Sequence, residues 1–410
     1  MPSPDEDLRI AMAAHKAERL DEAEAAYLRV LEGNPNHAKA LYYLGLLQFH
    51  RGDTAAAITL VQRCLNFART NGSAWNTLGS LFVAAGRKLE ARDAYRQATL
   101  VAPTMGEAWY NYGICLRDEG DIDGALSALR TSLAREPGYS KSYEALATVL
   151  YQAGRTQEAA DVYRDWAARE PQSAKARHMV AAVFQRDVPA RAADDYVREL
   201  FDGAASSFDA NLGRLNYRAP ELVVDSLVRV AQTARSAPSA TPADTATGFG
   251  TVLDAGCGTG LCGPLLRSHC ARLIGVDLSP QMIERARARR CYDELVVAEL
   301  CAFMRDRPRQ FDAIVSADTL VYFGALEDPL SAARESLRDE GVLVFTLESL
   351  PATVSQGHRL EAHGRYAHSE SYVRNSLAAS GFSVMGFAAV TLREECGEPV
   401  SGAVVTARRV

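Results

Sequence analysis

Along the first half of the chain, small and apolar residues return at a fixed interval. Ala23, Ala57, Ala91, Ala125 and Ala159 stand 34 residues apart. Gly52, Gly86, Gly120 and Gly154 keep the same step, as do Pro35, Pro103, Pro137 and Pro171, with Arg69 at the one missing position. A bulky position runs in register through Tyr27, Val61, Tyr95, Leu129 and Tyr163, and Trp75, Trp109 and Tyr143 place an aromatic near the start of three periods. A period of this length predicts stacked helix pairs. The recurrent glycine ends the first helix of each pair in a left-handed cap, and the proline lies beyond the second helix, which it cannot extend. Small residues such as Gly79, Gly113 and Ala91 let the paired helices approach closely. About five pairs are expected over residues 5–172, closed by a capping helix at about 174–185.

From Ala190 the pattern changes. Phe201, Ala204, Ala205 and Phe208 fall on one helical stripe, and a second helix is expected over about 220–231 with Pro220 in its first turn. Residues 232–250, rich in Ala, Ser, Thr, Pro and Gly, predict a flexible surface loop. Beyond them, β-branched runs alternate with helical patterns, which implies a parallel sheet flanked by helices. Strands are expected at Thr251–Asp254, Arg272–Asp277, Leu295–Ala298, Phe311–Ser316 and Val342–Leu347. Ser383–Thr391 and Ser401–Arg408, joined by a short polar connection, complete a seven-stranded sheet as an antiparallel pair. The division expected is an all-α solenoid over 5–188 and an α/β domain over 189–410.

Composition narrows this little. Forty-eight per cent hydrophobic and 23% charged residues suit ordinary globular domains, and 410 residues suit two of them. The net charge of −6 comes with no basic half, which argues against a nucleic-acid partner. No apolar run reaches a membrane span, and Met1-Pro2-Ser3-Pro4-Asp5-Glu6-Asp7 is too polar for a secretory signal. The eight cysteines have neither C-x-x-C nor zinc spacing, so reduced thiols in the cytoplasm are expected.

The chemistry gathers in Val252-Leu253-Asp254-Ala255-Gly256-Cys257-Gly258-Thr259-Gly260, where a strand meets a helix. Its glycines allow a tight turn and close approach to a ligand, and its G-x-G-x-G spacing differs from the dinucleotide pattern, disfavouring a nicotinamide oxidoreductase. Asp277 ends the second strand, where an acid can accept hydrogen bonds from ribose hydroxyls. Glu299 follows the third strand and Asp318 the fourth, so acids and glycines share one crevice.

The 34-residue pattern resembles the tetratricopeptide repeat, and residues 201–410 resemble class I S-adenosylmethionine-dependent methyltransferases of a bacterial family fused to such repeats. This resemblance implies a Rossmann-like sheet. It also implies that Asp254, Gly256, Cys257, Gly258 and Gly260 hold the methionine end of S-adenosylmethionine and Asp277 the ribose. Leu278 and Met282 would flank the adenine, Glu299 and Leu300 would lie at its edge, and Asp318 would face the methionine amine. Phe208 and Tyr217 would form a lid.

His358, His363 and His368 follow the fifth strand; His368 is the candidate general base, with Tyr322 and Tyr366 shaping the acceptor site. The family's Gly-Arg-Tyr-x-His segment is matched by Gly364–His368. No Asn-Pro-Pro-Tyr, Asp-Pro-Pro-Tyr or Pro-Cys motif points to nucleobase methylation. The remaining acceptors are a protein or peptide side chain, a carboxylate, or a small hydroxyl or amine. The resemblance further implies that the repeats bind a peptide or protein along their concave face, with Lys39, Asn76, Asn111 and Lys141 as candidates. The competing reading is a scaffold whose methyltransferase fold is regulatory.

Overall fold

The computed structural model describes residues 4–235, 248–351, 354–395 and 397–410. It falls into two compact units, Met1–Arg169 and Glu170–Val410. Much of the stretch expected as a flexible loop, and Cys396 in the final connection, lie outside the described residues.

The first unit is ten consecutive helices between Pro4 and Arg169, packed as five antiparallel pairs. The periodic residues carry the roles expected of them. Gly52, Gly86, Gly120 and Gly154 all have φ between 72° and 86°, the left-handed region that ends a helix cheaply only at glycine. A Cβ on Gly79 would lie 2.6 Å from the Tyr95 ring, so the small residue sets the closeness of that pair. The recurring aromatic has a use that periodicity alone did not reveal. Trp75 Nε1 donates to the Arg69 carbonyl at 2.8 Å, Trp109 Nε1 to Pro103 at 3.0 Å, and the Tyr143 hydroxyl to Pro137 at 3.3 Å. Each aromatic therefore ties down the turn that carries the recurrent proline position.

Among the described residues, the second unit is built on one nine-stranded sheet. Its strands are β1 (Phe249–Ala255), β2 (Cys270–Asp277), β3 (Glu294–Val297), β4 (Phe311–Ser316), β5 (Leu337–Ser349), β6 (His358–Leu360), β7 (Tyr366–His368), β8 (Phe382–Glu395) and β9 (Glu398–Arg409). The order β3-β2-β1-β4-β5 is parallel, and β9 joins β5 antiparallel with β8 outside it. Two strands exceed the seven expected: β6 and β7 form a short hairpin, with β7 continuing along β5 at Glu348 and Ser349. This hairpin lies in the histidine-rich segment, where three-residue strands leave too little periodicity to detect.

Alternation along the central strands loads both faces. Leu253, Ile274 and Phe345 pack with helices Leu300–Arg305, Glu327–Ser336 and Glu370–Ala379. Val252, Leu273 and Val344 face Val223 and Leu227 of helix Ala219–Arg235. Adjacent residues serving opposite cores are what period-two geometry requires of a sheet covered on both sides. The expected cap forms helix Ala174–Phe184, which packs within the second unit: Ala181 and Ala182 meet Leu360 and Tyr366, and His178 Nε2 lies 2.9 Å from the Gly364 carbonyl. Among the described residues no helix is long and apolar enough to cross a membrane.

Candidate functional site

A cavity of about 230 Å³ lies over the carboxyl ends of β1 to β4. Gly256 leaves β1 with φ +76°, and a Cβ there would fall 2.1 Å from Thr319 Oγ1. The loop can therefore cross beneath the segment after β4 only as glycine. Gly258, also left-handed, would place a Cβ where no protein atom lies within 4 Å, and it lines the cavity. Its N–H donates to Asp277 Oδ2 at 2.9 Å, while Ser279 N–H donates to Oδ1 at 2.9 Å. Burial pushes the Asp277 carboxyl upward against these backbone hydrogen bonds.

Cys257, Leu278, Glu299, Leu300 and Asp318 join the lining, as do Phe208, Tyr217 and Tyr322. Glu299 serves twice: Oε2 accepts from Ala302 N–H at 2.7 Å, capping the following helix, and the residue still faces the cavity. Asp318 adopts φ +52°, held by the Thr346 hydroxyl, which donates to Oδ1 at 3.1 Å and accepts from the Asp318 N–H at 2.8 Å.

The segment 208–218 brings Phe208, Leu212, Leu215 and Tyr217 to the cavity wall and is pinned at both ends. Asp209 accepts from Thr259 Oγ1 and from Arg289, both at 2.5 Å. At the other end, Arg218 N–H donates to the Leu392 carbonyl at 3.0 Å and Glu394 N–H to the Leu215 carbonyl at 2.7 Å. Phe201 stands edge-on between Phe208 and Tyr322, at 5.8 and 5.5 Å.

Other expected residues lie elsewhere. Asp254 does not line the cavity; it is 1% exposed beneath the glycine loop and accepts from the Tyr292 hydroxyl at 2.6 Å. Burial there pushes its carboxyl up to about 7. Gly260 packs against Ala286 and Tyr292, and Met282 is fully buried. Neither lines the cavity: Gly260 lies against helix Pro280–Ala288, in which Met282 is buried. Tyr366 donates to the Pro189 carbonyl at 2.7 Å from within the core. His363 pairs with Glu348 at 3.3 Å.

His368 is 2% exposed outside the cavity, with Nε2 3.1 Å from the Gly324 carbonyl. The β6–β7 hairpin pairs it with His358 and turns it into the core. Burial lowers its pKa to about 4, so it is neutral at pH 7. Unfolded, it would bind a proton near 6.5, so its contribution to stability is complete above that pH and is lost as pH falls toward 4. His368→Gln is therefore expected to flatten this dependence. Between pH 7 and pH 5, urea unfolding of the wild type should lose about 2 kcal/mol more than that of the variant. Parallel losses would show that the histidine is not held neutral.

Periodicity had not pointed to the charged wall. Arg365 and Arg393 both line the cavity. Arg393 is 4% exposed and reaches Asp318 Oδ2 at 2.8 Å, Glu395 Oε1 at 2.8 Å and the Glu348 carboxylate. Arg365 reaches Glu348 Oε1 and Glu395 Oε1, each at 2.6 Å. A faint signal existed: Arg393 and Glu395 alternate at spacing two, which puts both on one face of a strand. Among the described residues no group of acids, cysteines and histidines is arranged to hold a metal ion.

A model described as a methyltransferase domain matches residues 252–341, and tetratricopeptide-repeat models match 8–74, 76–140 and 116–183. Methyltransferase-like protein 27 of Homo sapiens is 31% identical over 182 residues, covering 42% of this chain and 67% of that protein. Malonyl-[acyl-carrier protein] O-methyltransferase of Acetivibrio thermocellus is 34% identical over 99 residues, 23% of this chain and 34% of that protein. The chain spans between 34% and 49% of the length of the first three curated relatives it matches. The solved structure of MamA aligns at 25% identity over 40% of this chain and 97% of that one, with a TM-score of 0.38.

Proposed function

For a chain that belongs to the methyltransferase family, with tetratricopeptide repeats ahead of its methyltransferase domain, we propose S-adenosylmethionine-dependent methylation of a peptide or protein recruited by the repeats. The observation that carries this reading is the convergence of Gly258, Asp277, Glu299 and Asp318 on one cavity. The open space beside Gly258 and the acids at successive strand ends suit a ligand with a nucleoside at one end and an ammonium at the other. Asp277 would accept from the ribose hydroxyls. Leu278 and Leu300 would flank the adenine, with Glu299 at its amine, and Asp318 would meet the methionine ammonium. Asp254, lying below the loop, would hold the loop's shape rather than touch the ligand.

When bound, S-adenosylmethionine supplies a methyl group already activated on a sulfonium. The protein's share is then alignment and exclusion of water. The pinned segment 208–218 provides the cover, with Phe208, Leu212, Leu215 and Tyr217 facing inward.

The repeats supply the reason to favour a macromolecular acceptor, because a solenoid offers an extended binding surface. Asn76 is 7% exposed and accepts from Asn111 at 2.9 Å, so it serves mainly to join neighbouring repeats. Lys39 and Lys141 remain exposed for a partner. The test is incubation of the full chain with methyl-labelled S-adenosylmethionine and cell extract, followed by separation of protein from small molecules. Label in a protein band supports delivery by the repeats. Label confined to small molecules overturns it, and no binding of S-adenosylmethionine in calorimetry overturns the whole reading.

A further inference from the structure

We propose that Arg365 and Arg393 form the acceptor subsite and that the group they present for methylation is a carboxylate, whose place Glu395 holds in this structure. The inference rests on the methyl-donor reading above and names its substrate class.

Both guanidiniums donate to the same oxygen, Glu395 Oε1, at 2.6 and 2.8 Å. One carboxylate bridging two arginines is how proteins fix a carboxylate ligand with direction as well as affinity. The three acids on this pair are not equivalent. Glu348, 5% exposed, lies beneath both arginines, and Asp318 is tied to Thr346. Glu395, with 34% of its side chain exposed, comes from the last residue of β8, and it alone sits where an incoming group could take its place. Three carboxylates face two guanidiniums, so a substrate anion exchanging with Glu395 leaves the balance unchanged.

A second observation points the same way. No histidine is among the described residues lining the cavity. Burial pushes the Tyr322 hydroxyl up to about 12 and the Cys257 thiol well above its usual range. The two arginines, outweighing burial, hold Glu395 below the usual carboxylate range. The wall thus offers no imidazole, and its carboxylates Asp318 and Glu395 are already engaged by Arg393, Thr346 and Arg365. A carboxylate arrives already deprotonated. Its oxygen forms the new bond to the methyl carbon as the carbon–sulfur bond breaks. The electron pair passes to sulfur, the anion and the sulfonium are both neutralised, and no proton moves.

The test uses the full chain saturated with S-adenosylhomocysteine, whose own binding is measured first, and titrates butyrate against butyramide. Butyrate should bind about tenfold or more tightly than butyramide. Glu395→Gln should strengthen butyrate binding by about tenfold, whereas Arg365→Met should weaken it by a similar factor, a sign reversal that misfolding would not produce. Equal binding of the two probes, or no change in Glu395→Gln, overturns the subsite while leaving the donor reading intact. Failure of the wild type to bind S-adenosylhomocysteine removes both. Label transferred in the extract experiment should be released by mild alkali as methanol; alkali-stable label overturns the carboxylate assignment.

Discussion

Replacing Asp277 by alanine is expected to weaken S-adenosylmethionine binding by about a hundredfold or more. The side chain ends β2 with each carboxylate oxygen already accepting one backbone N–H, from Gly258 and from Ser279. Those bonds fix its orientation toward the cavity, so the remaining lone pairs are aimed before a ligand arrives. Hydrogen bonds to a charged acceptor contribute about 1.5–3 kcal/mol each, and about 1.4 kcal/mol is a factor of ten. Loss of the two ribose contacts proposed for it would therefore exceed a hundredfold even at the lower limit. Alanine also frees the Gly258 N–H, which loosens the glycine loop. Asp277→Asn separates the two effects: it keeps the shape and one acceptor, and should fall between alanine and wild type. Calorimetry on all three proteins decides it, and equal affinities would remove Asp277 from the ribose site.

What could be read in advance followed the range of the signal. The repeats announce themselves because each period writes the same local physics again, and the glycine loop because strand, turn and helix adjoin in sequence. The acids at successive strand ends were legible for the same reason: each is fixed by its own strand. The charged wall was not, since Arg393 meets Asp318 across 75 residues and Glu348 across 45, and no local pattern encodes such pairing. His368 misled in the opposite way. Three histidines within eleven residues after the fifth strand pointed to His368 as a general base, but the β6–β7 hairpin turns His368 into the core and leaves His363 on Glu348. Helix Ala174–Phe184 reads from sequence as the capping helix of the solenoid, yet His178 and Gln185 hydrogen-bond to Gly364 and Leu360. Its apolar face is satisfied by a hairpin that sequence reasoning had not found.

The charged wall also sets the largest expected stability effect. Arg393→Met is expected to cost about 3–5 kcal/mol, because it leaves buried carboxylates without their partner rather than merely deleting a bond. Arg393 touches Asp318, Glu348 and Glu395 at once, and Arg365 alone cannot balance the three. For a unit of this size such a loss lowers the melting temperature by about 10 °C or more. The pH dependence gives the mechanism away. Burial pushes Glu348 upward, but Arg365, His363 and Arg393 outweigh it and hold the carboxyl below its usual range. The wild type therefore has this stabilisation above the unfolded carboxyl pKa and loses it as pH falls through the lower folded value. Without Arg393 the carboxyls rise instead, and protonation relieves the variant as pH falls. The deficit of Arg393→Met should be widest near pH 7 and shrink toward pH 5, and adding Glu348→Gln should recover part of it at pH 7. Thermal unfolding of the single and double variants at both pH values checks this. A deficit that is the same at pH 5 and pH 7, and unrelieved by Glu348→Gln, would mean that Arg393 stabilises the wall through packing and not through charge.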